Sequence, residues 1–427
     1  MDTILGRTTV AGAVEGLLGR DLPVGVEAYD GSHAGPRDAP ATLLILSPDA
    51  IRRIVTAPGE LGIGRAYVAG DLDVRGDVFF ALAELRRRLP NAWLSVPALA
   101  SLARLVGRDA FRPLPPPPEE ARLTGRRHSR ERDAAAIAHH YDVSNEFYRL
   151  VLGPSMTYSC AVWDTPDVGL DAAQQAKYEL ISRKLGLREG MRLLDVGCGW
   201  GGMVIHAART YGVRAVGVTL SQRQAEYAAK AVVDAGVADR VEIRFADYRD
   251  VRDGPYDAIS SIGMFEHVGL HNLGLYFSRL HALLAPGGRL LNHGIARPAR
   301  RDASGGVPST PSRLRRNSFV DRYVFPDGEL HEVGAVISIM QGRGVEVRHA
   351  ESLREHYALT LRAWVANLES SWDEAVGEVG SARARIWRLY MAASALNFEA
   401  GRSQVHQVLA VKAGDGRAGM PLRPAFT

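Results

Sequence analysis

Between residues 190 and 295 the chain alternates short apolar runs with longer stretches of helical periodicity. Residues 191–196 (MRLLDV) form an apolar run that stops at glycines, the pattern of a buried strand followed by a turn. Residues 214–218, 241–245, 256–261 and 288–293 are further strand candidates, and helical stretches such as 221–235 and 273–284 separate most of them. This alternation predicts a doubly wound, largely parallel sheet. Farther on, 353–368 carries Tyr357, Leu361, Trp364 and Leu368 at helical spacing, and 386–398 reads as another long helix. Residues 404–412 (QVHQVLAVK) alternate and are expected to be a last, antiparallel strand.

Upstream, the pattern breaks at 112–118 (RPLPPPP). Consecutive prolines lack amide donors and hold polyproline dihedrals, so this segment cannot be helix or central strand. It continues as a polar run to GRRHSRER, whose Arg126, Arg127, Arg130 and Arg132 read as a solvated face. The expected division is therefore a smaller, accessory N-terminal α+β domain (1–112), a Pro/Arg-rich linker (113–132) and a main α/β domain (133–427). The first block holds an apolar run at 42–46, a helix after Ser47-Pro48-Asp49 and the phrase LGIGRAYVAGDLDVRGD at 61–77, whose glycines read as turns.

Composition narrows the class. At 427 residues the chain exceeds what one core usually covers. Its 46% hydrophobic and 23% charged residues are the balance of a globular protein. With only Cys160 and Cys198, a disulfide framework and a four-cysteine zinc site are excluded, and no metal site is expected. No run of eighteen apolar residues is present to span a bilayer, and the first residues lack a signal-peptide layout, so a cytoplasmic location is expected. The net charge of +4 permits weak attraction to anionic surfaces.

The chemistry begins at Asp195-Val-Gly-Cys-Gly-Trp-Gly201, a glycine turn between the first strand and a helix. Glycines there let backbone approach a ligand closely, and such folds bind ligands at that strand end. The spacing is not the dinucleotide pattern; it looks like the S-adenosylmethionine motif of class I methyltransferases. The second strand ends in Thr219-Leu220-Ser221 and Gln224, a neutral set that must recognise a ribose through hydroxyl and amide groups. The third ends at Asp247-Tyr248, an adenine edge with an acid for the amine and an aromatic for stacking, or else a surface tyrosine.

Five separated motifs occur in order: His140-Tyr-Asp-Val-Ser-Asn145, Tyr158-Ser-Cys160, Asp195–Gly201, Thr219–Ser221 and Gly263-Met-Phe-Glu-His267. With Phe325-Pro-Asp-Gly-Glu329, Glu355-His-Tyr357 and Trp364, they make the chain resemble the cyclopropane-fatty-acyl-phospholipid synthase family, which includes the mycolic acid cyclopropane synthases. The resemblance runs from about residue 130 to the C-terminus, and GIGRAYVAGDLDV extends it to the extra domain of the longer, actinobacterial-type members. It implies a class I S-adenosylmethionine methyltransferase, Rossmann-like with an antiparallel last strand. It assigns Tyr158, Ser159, Gly197, Gly199, Thr219, Gln224 and Ile262 to the cofactor; Asp195, Gly201, Leu220, Ser221, Asp247 and Tyr248 join them from the motif reading. It also implies a bicarbonate ion held by Cys160, Glu266, His293, Ile295 and Tyr357, the cysteine and isoleucine acting through backbone amides.

The reaction so implied joins a methyl sulfonium to the cis double bond of an unsaturated, oleoyl-type phospholipid. An isolated alkene is a weak nucleophile, so the site needs alignment and exclusion of water. Attack leaves a carbocation, which the face of Tyr357 can stabilise. Proton loss from the incoming methyl then closes a cyclopropane, or, after a hydride shift, leaves a 10-methylene branch that a partner reductase would saturate. His267 reads as a packing residue, Cys198 as structural, and Cys160 is not expected to act as a nucleophile. The stretch 297–316 carries six arginines and one acid and is expected to touch headgroups or gate an acyl tunnel, in peripheral contact with an anionic membrane surface. A homo-oligomer is compatible with this reading, nucleic acid is not, and the distant alternatives are a small-molecule methyltransferase or a non-catalytic lipid-binding subunit.

Overall fold

The computed structural model describes residues 9–19, 21–89, 96–121, 132, 143–299, 312–313, 318–326 and 328–426. Chain contacts divide it into two compact units. One comprises Met1–Arg122, Arg316–Val324 and Trp372–Leu396; the other comprises Leu123–Arg315, Phe325–Ser371 and Asn397–Thr427.

In the larger unit, seven strands form one sheet: β1 (Arg192–Val196), β2 (Arg214–Thr219), β3 (Val241–Phe245), β4 (Tyr256–Ile262), β5 (Leu284–Ala296), β6 (Glu346–Ser352) and β7 (Gln404–Val411). Their spatial order is β6-β7-β5-β4-β1-β2-β3. The five strands from β5 to β3 run parallel, and β7 is antiparallel to both β5 and β6. The five apolar runs and the alternating last segment are thus all strands. β6 (EVRHAES) is the addition: it is an edge strand, mostly half-exposed, so its polar sequence carries no apolar signal.

Alternation along the strands builds a core on each face. Leu193, Ala215, Ala258 and Leu291 pack with residues of helices Leu170–Leu185, Gly202–Tyr211 and Gln222–Asp234. Leu194, Val196, Ile259 and Leu290 pack with helices Leu270–Leu283 and Val333–Gln341. Helix Arg354–Ser370 follows β6, with Tyr357, Leu361, Trp364 and Leu368 on its buried face.

The smaller unit holds a four-stranded sheet in the order His33–Ala34, Gly25–Ala28, Ala41–Ile45, Leu72–Gly76, flanked by helices. Helix Pro48–Thr56 starts where Ser47 caps it, its hydroxyl accepting from the Asp49 amide. One expectation fails here. Gly62 and Gly64 are not turn residues but lie within helix Glu60–Val68. Their absent side chains are a packing requirement: a Cβ on Gly62 would lie 2.2 Å from the Ala57 carbonyl oxygen, and one on Gly64 2.4 Å from the Phe319 ring. Gly70 and Gly76, with φ of +78° and +87°, are the turn glycines of that phrase. Helix Ser381–Glu399 contributes Arg385 and Arg388 to the same unit, where both donate to backbone carbonyls of Leu72–Gly76.

Residues 113–117 have no regular structure. Just beyond them Glu120 is buried, its carboxylate held by Arg65 through two hydrogen bonds of 2.8 Å. Arg126, Arg127, Arg130, the His140-Tyr-Asp segment and most of 297–316 lie outside the described residues; within that last stretch Arg297 pairs with Glu332 at 2.9 Å. Among the described residues no helix is long and apolar enough to cross a membrane.

Candidate active site

The site lies at the carboxyl ends of β1, β2, β4 and β5. After β1, Gly197, Gly199 and Gly201 take φ of +81°, +55° and +90°, a backbone that a side chain would strain. The amides of Gly197 and Cys198 both donate to the Val218 carbonyl, at 2.9 and 3.0 Å, which staples the turn to β2. Trp200 extends the anchoring: its indole N–H donates to Asn145 at 2.8 Å, and its ring lies 4.7 Å from that of Tyr148. The described end of the first motif is thereby fixed against the glycine turn. Asp195, buried at the end of β1, accepts from the Ser260 hydroxyl at 2.6 Å, and burial pushes its carboxyl up to about 6.

A cleft opens over this turn. Tyr158, Ser159, Asp195, Gly197, Gly199, Thr219, Leu220, Gln224, Tyr248 and Ile262 line it together. Cys198 sits under the turn, its Cβ against Gly217 of β2. Three of the expected cofactor residues serve differently. Gly201 starts helix Gly202–Tyr211, and Ser221 caps helix Gln222–Asp234. The two carboxylate oxygens of Asp247 are both engaged by Arg249, and the cleft is bounded on either side of it by Ala246 and Tyr248. The neutral strand end forms its own network: Thr219 donates to the Gln224 side chain at 2.8 Å and accepts from the Ser221 amide.

The second group of residues is connected through backbone. Gly263 donates to the His293 carbonyl at 2.8 Å, which sets the short helix Phe265–Val268 beside β5. Glu266 Oε1 then accepts from the Ile295 amide at 2.6 Å. Gly294 permits this closeness, since a Cβ there would lie 1.9 Å from the Phe265 ring and 3.1 Å from Glu266 Oε1. Ile295 pairs across the sheet with Val405, whose carbonyl accepts from Leu353 at 2.9 Å. The Leu353 carbonyl in turn accepts from the Tyr357 amide at 3.1 Å and from the Cys160 thiol at 3.6 Å. These bonds and strand pairings link the elements that carry the five expected residues. The Ile295 amide, which the resemblance gives to the ion, is here donated to Glu266.

Burial sets the electrostatics. The Glu266 carboxyl is pushed up to about 7 and the His293 imidazole down to about 3, both first by desolvation. Cys160 is fully buried and its thiol is pushed well up, which leaves it without nucleophilic thiolate. Glu266 Oε2 and His293 Nε2 are buried and have no hydrogen-bond partner among the described residues. Two orphaned polar atoms of this kind suit a small hydrogen-bonding oxyanion, so the residues present fit the bicarbonate that the resemblance implies. Tyr357 belongs to an aromatic cluster: Tyr158 stacks on Trp364 at 5.2 Å, and Tyr357 lies 6.0 Å from Trp364 and 4.7 Å from Phe398.

Several site residues were not expected from the sequence. Helix Leu170–Leu185 turns Gln174, Lys177 and Lys184 inward, where an apolar face is the norm. The Lys177 ammonium donates to Ser159 Oγ at 2.9 Å in the wall of the cleft, and burial pulls it down to about 7. The spacing of 174, 177 and 184 on one helical face was the available signal. His267, read as packing, also lines the cleft.

The chain is similar to several known proteins. The family model for mycolic acid cyclopropane synthetase matches residues 128–408. A probable fatty acid methyltransferase of Mycobacterium tuberculosis is 49% identical over 94% of this chain and 94% of its own. The tuberculostearic acid methyltransferase UfaA1 of the same organism is 34% identical over 92% and 88%. The cyclopropane-fatty-acyl-phospholipid synthase of Escherichia coli is 32% identical over 87% and 88%. Among solved structures, the mycolic acid cyclopropane synthase CmaA1 complexed with SAH and CTAB superposes with a TM-score of 0.60 at 34% identity, over 65% of this chain and 98% of that one.

Proposed function

This chain belongs to the mycolic acid cyclopropane synthetase family and is a methyltransferase, and from that premise we propose that it transfers the methyl carbon of S-adenosylmethionine to the cis double bond of an unsaturated fatty acyl chain carried by a phospholipid, giving a cyclopropane. The observation that carries this reading is the occurrence of two features at the carboxyl ends of the parallel strands. One is a glycine-turn cleft; the other is the buried pair Glu266 and His293, each of which keeps a polar atom without a hydrogen-bond partner among the described residues.

S-adenosylmethionine supplies an electrophilic methyl on a sulfonium. The chain's residues supply what an unactivated olefin needs. The glycine turn, Thr219 and Gln224 hold the donor, and Lys177 holds the Ser159 hydroxyl at its wall. A lysine whose charge burial has weakened does not repel a cationic ligand as a full ammonium would. As the new C–C bond forms and the S–C bond breaks, positive charge develops on the acyl chain. The face of Tyr357 would stabilise it by cation–π attraction, its ring braced by Trp364. Bicarbonate, where bound, would supply a small proton acceptor that Glu266, His293 and Tyr357 would hold with the Cys160 amide, the Ile295 amide being donated to Glu266. Glu266, near 7, is poised to accept a proton at its free oxygen or to donate one. The substrate would be met at the membrane surface by peripheral contact.

Similarity to the tuberculostearic acid methyltransferase favours a second outcome, the 10-methylene branch, from the same methyl transfer. Both products are isomers that retain two of the three methyl hydrogens, so mass alone does not separate them. The test is incubation with methyl-labelled S-adenosylmethionine and oleoyl phospholipid vesicles, followed by mass spectrometry and NMR of the released chain. A labelled ring methylene supports the cyclopropane, a labelled exomethylene selects the branch, and label only on headgroup or protein overturns the proposal.

A further inference from the structure

The register of the sheet places three side chains in a row. Across the antiparallel strands, Glu351 of β6 is opposite Gln407 of β7, and Gln407 is opposite His293 of β5. Helix Leu170–Leu185 adds Lys184, whose side chain is wholly buried. Its ammonium donates to the Glu351 carboxylate and, at 2.7 Å, to Gln407 Oε1. Gln407 is itself wholly buried, and its Nε2 lies 3.2 Å from His293 Nδ1.

The donor and acceptor inventory leaves one arrangement. An ammonium only donates, so the oxygen of the Gln407 amide faces Lys184. The NH2 of the same amide therefore faces His293, and an NH2 only donates. His293 Nδ1 must then accept, which it can do only as a bare ring nitrogen. The single proton of the neutral ring is left on Nε2, the buried atom that has no partner among the described residues. Placing a proton on Nδ1 would set it against the amide hydrogens. Charging the ring would do the same, and Lys177, Lys184 and His406 face it with like charge.

We propose that Lys184 and Gln407 are positioning residues that lock His293 as its Nε2–H tautomer, so that this histidine presents a hydrogen-bond donor, and not a base, to the reaction centre. The proton released from the substrate must then go to an acceptor other than His293. The inference rests on the reading of His293 as a site residue, but the lock itself is a property of the chain alone. It deepens that reading by dividing the roles: His293 donates, and Glu266 Oε2 or a held oxyanion accepts.

The experiment is nitrogen NMR of the protein labelled with 15N-histidine, without cofactor, with His293→Gln used to assign the signal. The wild type should show a bare Nδ1 and a protonated Nε2, unchanged from pH 8 down to pH 5. Gln407→Glu keeps an oxygen for Lys184 but offers the ring a second oxygen in place of an NH2. It should move the proton to Nδ1 or charge the ring. Turnover should fall by about 10²-fold, as the loss of one hydrogen-bond donor at a reaction centre does, with SAH affinity unchanged. Lys184→Arg should preserve the wild-type spectrum, and so should Glu351→Gln, which leaves the Lys184–Gln407 bond in place. A wild-type ring protonated at Nδ1 overturns the lock without any variant being needed. A Gln407→Glu protein with a flipped ring and wild-type turnover overturns the positioning role. A correct tautomer in a protein that transfers no methyl to vesicles would instead remove the functional reading and leave the lock standing.

Discussion

Glu266 is the residue at which burial and chemistry meet. Its ordinary value is 4.5, and the folded protein holds it at about 7 because desolvation outweighs the Ile295 amide bond. A carboxyl raised on folding favours the folded state most when protonated. That contribution is complete below 4.5 and is lost as pH rises through about 7. Glu266→Gln cannot ionise and retains an oxygen for the Ile295 amide. It should therefore be more stable than the wild type near pH 8, by on the order of 3 kcal/mol at most, and no different near pH 4.5. Its turnover should drop at least about 10²-fold while SAH still binds. Denaturant titrations at the two pH values check the first claim; equal stability at both would show that the carboxyl is not held neutral by burial. Glu266 was legible in the sequence because it follows a strand within a recognisable motif, and His293 because it lies toward the end of an apolar run that reads as a strand. Lys177, Lys184 and Gln407 were not, since a lysine or glutamine in a pattern reads as exposed until its partners are in place.

At the scale of elements, the fit between β5 and helix Phe265–Val268 decides whether Glu266 reaches Ile295. Gly294 is the contact point, with the Phe265 ring occupying the space of its missing side chain. Gly294→Ala should cost roughly 1–3 kcal/mol through overpacking and should displace the Glu266 carboxyl. Melting temperature and turnover should both fall, while SAH affinity stays within a few-fold because the glycine turn is built on β1 and β2. Wild-type turnover in this variant would mean that the bond between Glu266 and Ile295 has no role. Four of the five parallel strands were readable from sequence because both their faces are largely buried, which yields near-continuous apolar runs, and β3, at the far edge, because its Val241, Ile243 and Phe245 alternate with charged residues. β6 was not, because an edge strand needs no such run. Gly62 and Gly64 misled for a related reason: in sequence, a glycine that admits a neighbour looks the same as one that turns the chain.

At the scale of the whole molecule, the smaller unit is completed by a helix that comes more than 250 residues after its last strand. Arg388 on that helix is buried and donates to the Tyr67 hydroxyl at 3.1 Å and to the Val74 carbonyl at 3.2 Å. Arg388→Met should leave these acceptors unpaired and destabilise the unit by about 2–4 kcal/mol. Hydrogen exchange should accelerate at residues 67–76 with SAH affinity unaltered; unchanged exchange there would count against the role. Such closure was invisible to sequence reading, where the proline-rich stretch looked like the only break and a late helix was assigned by proximity along the chain. Local pattern determined the strands, the glycine turn and the motif residues, because those depend on near neighbours and on backbone freedom. Only the tertiary structure decided which polar side chains became buried, which oxygen faces which nitrogen around His293, and which distant helix closes which core. These are matters of partners brought together by register and packing, and no residue carries its partner's identity in its own place in the chain.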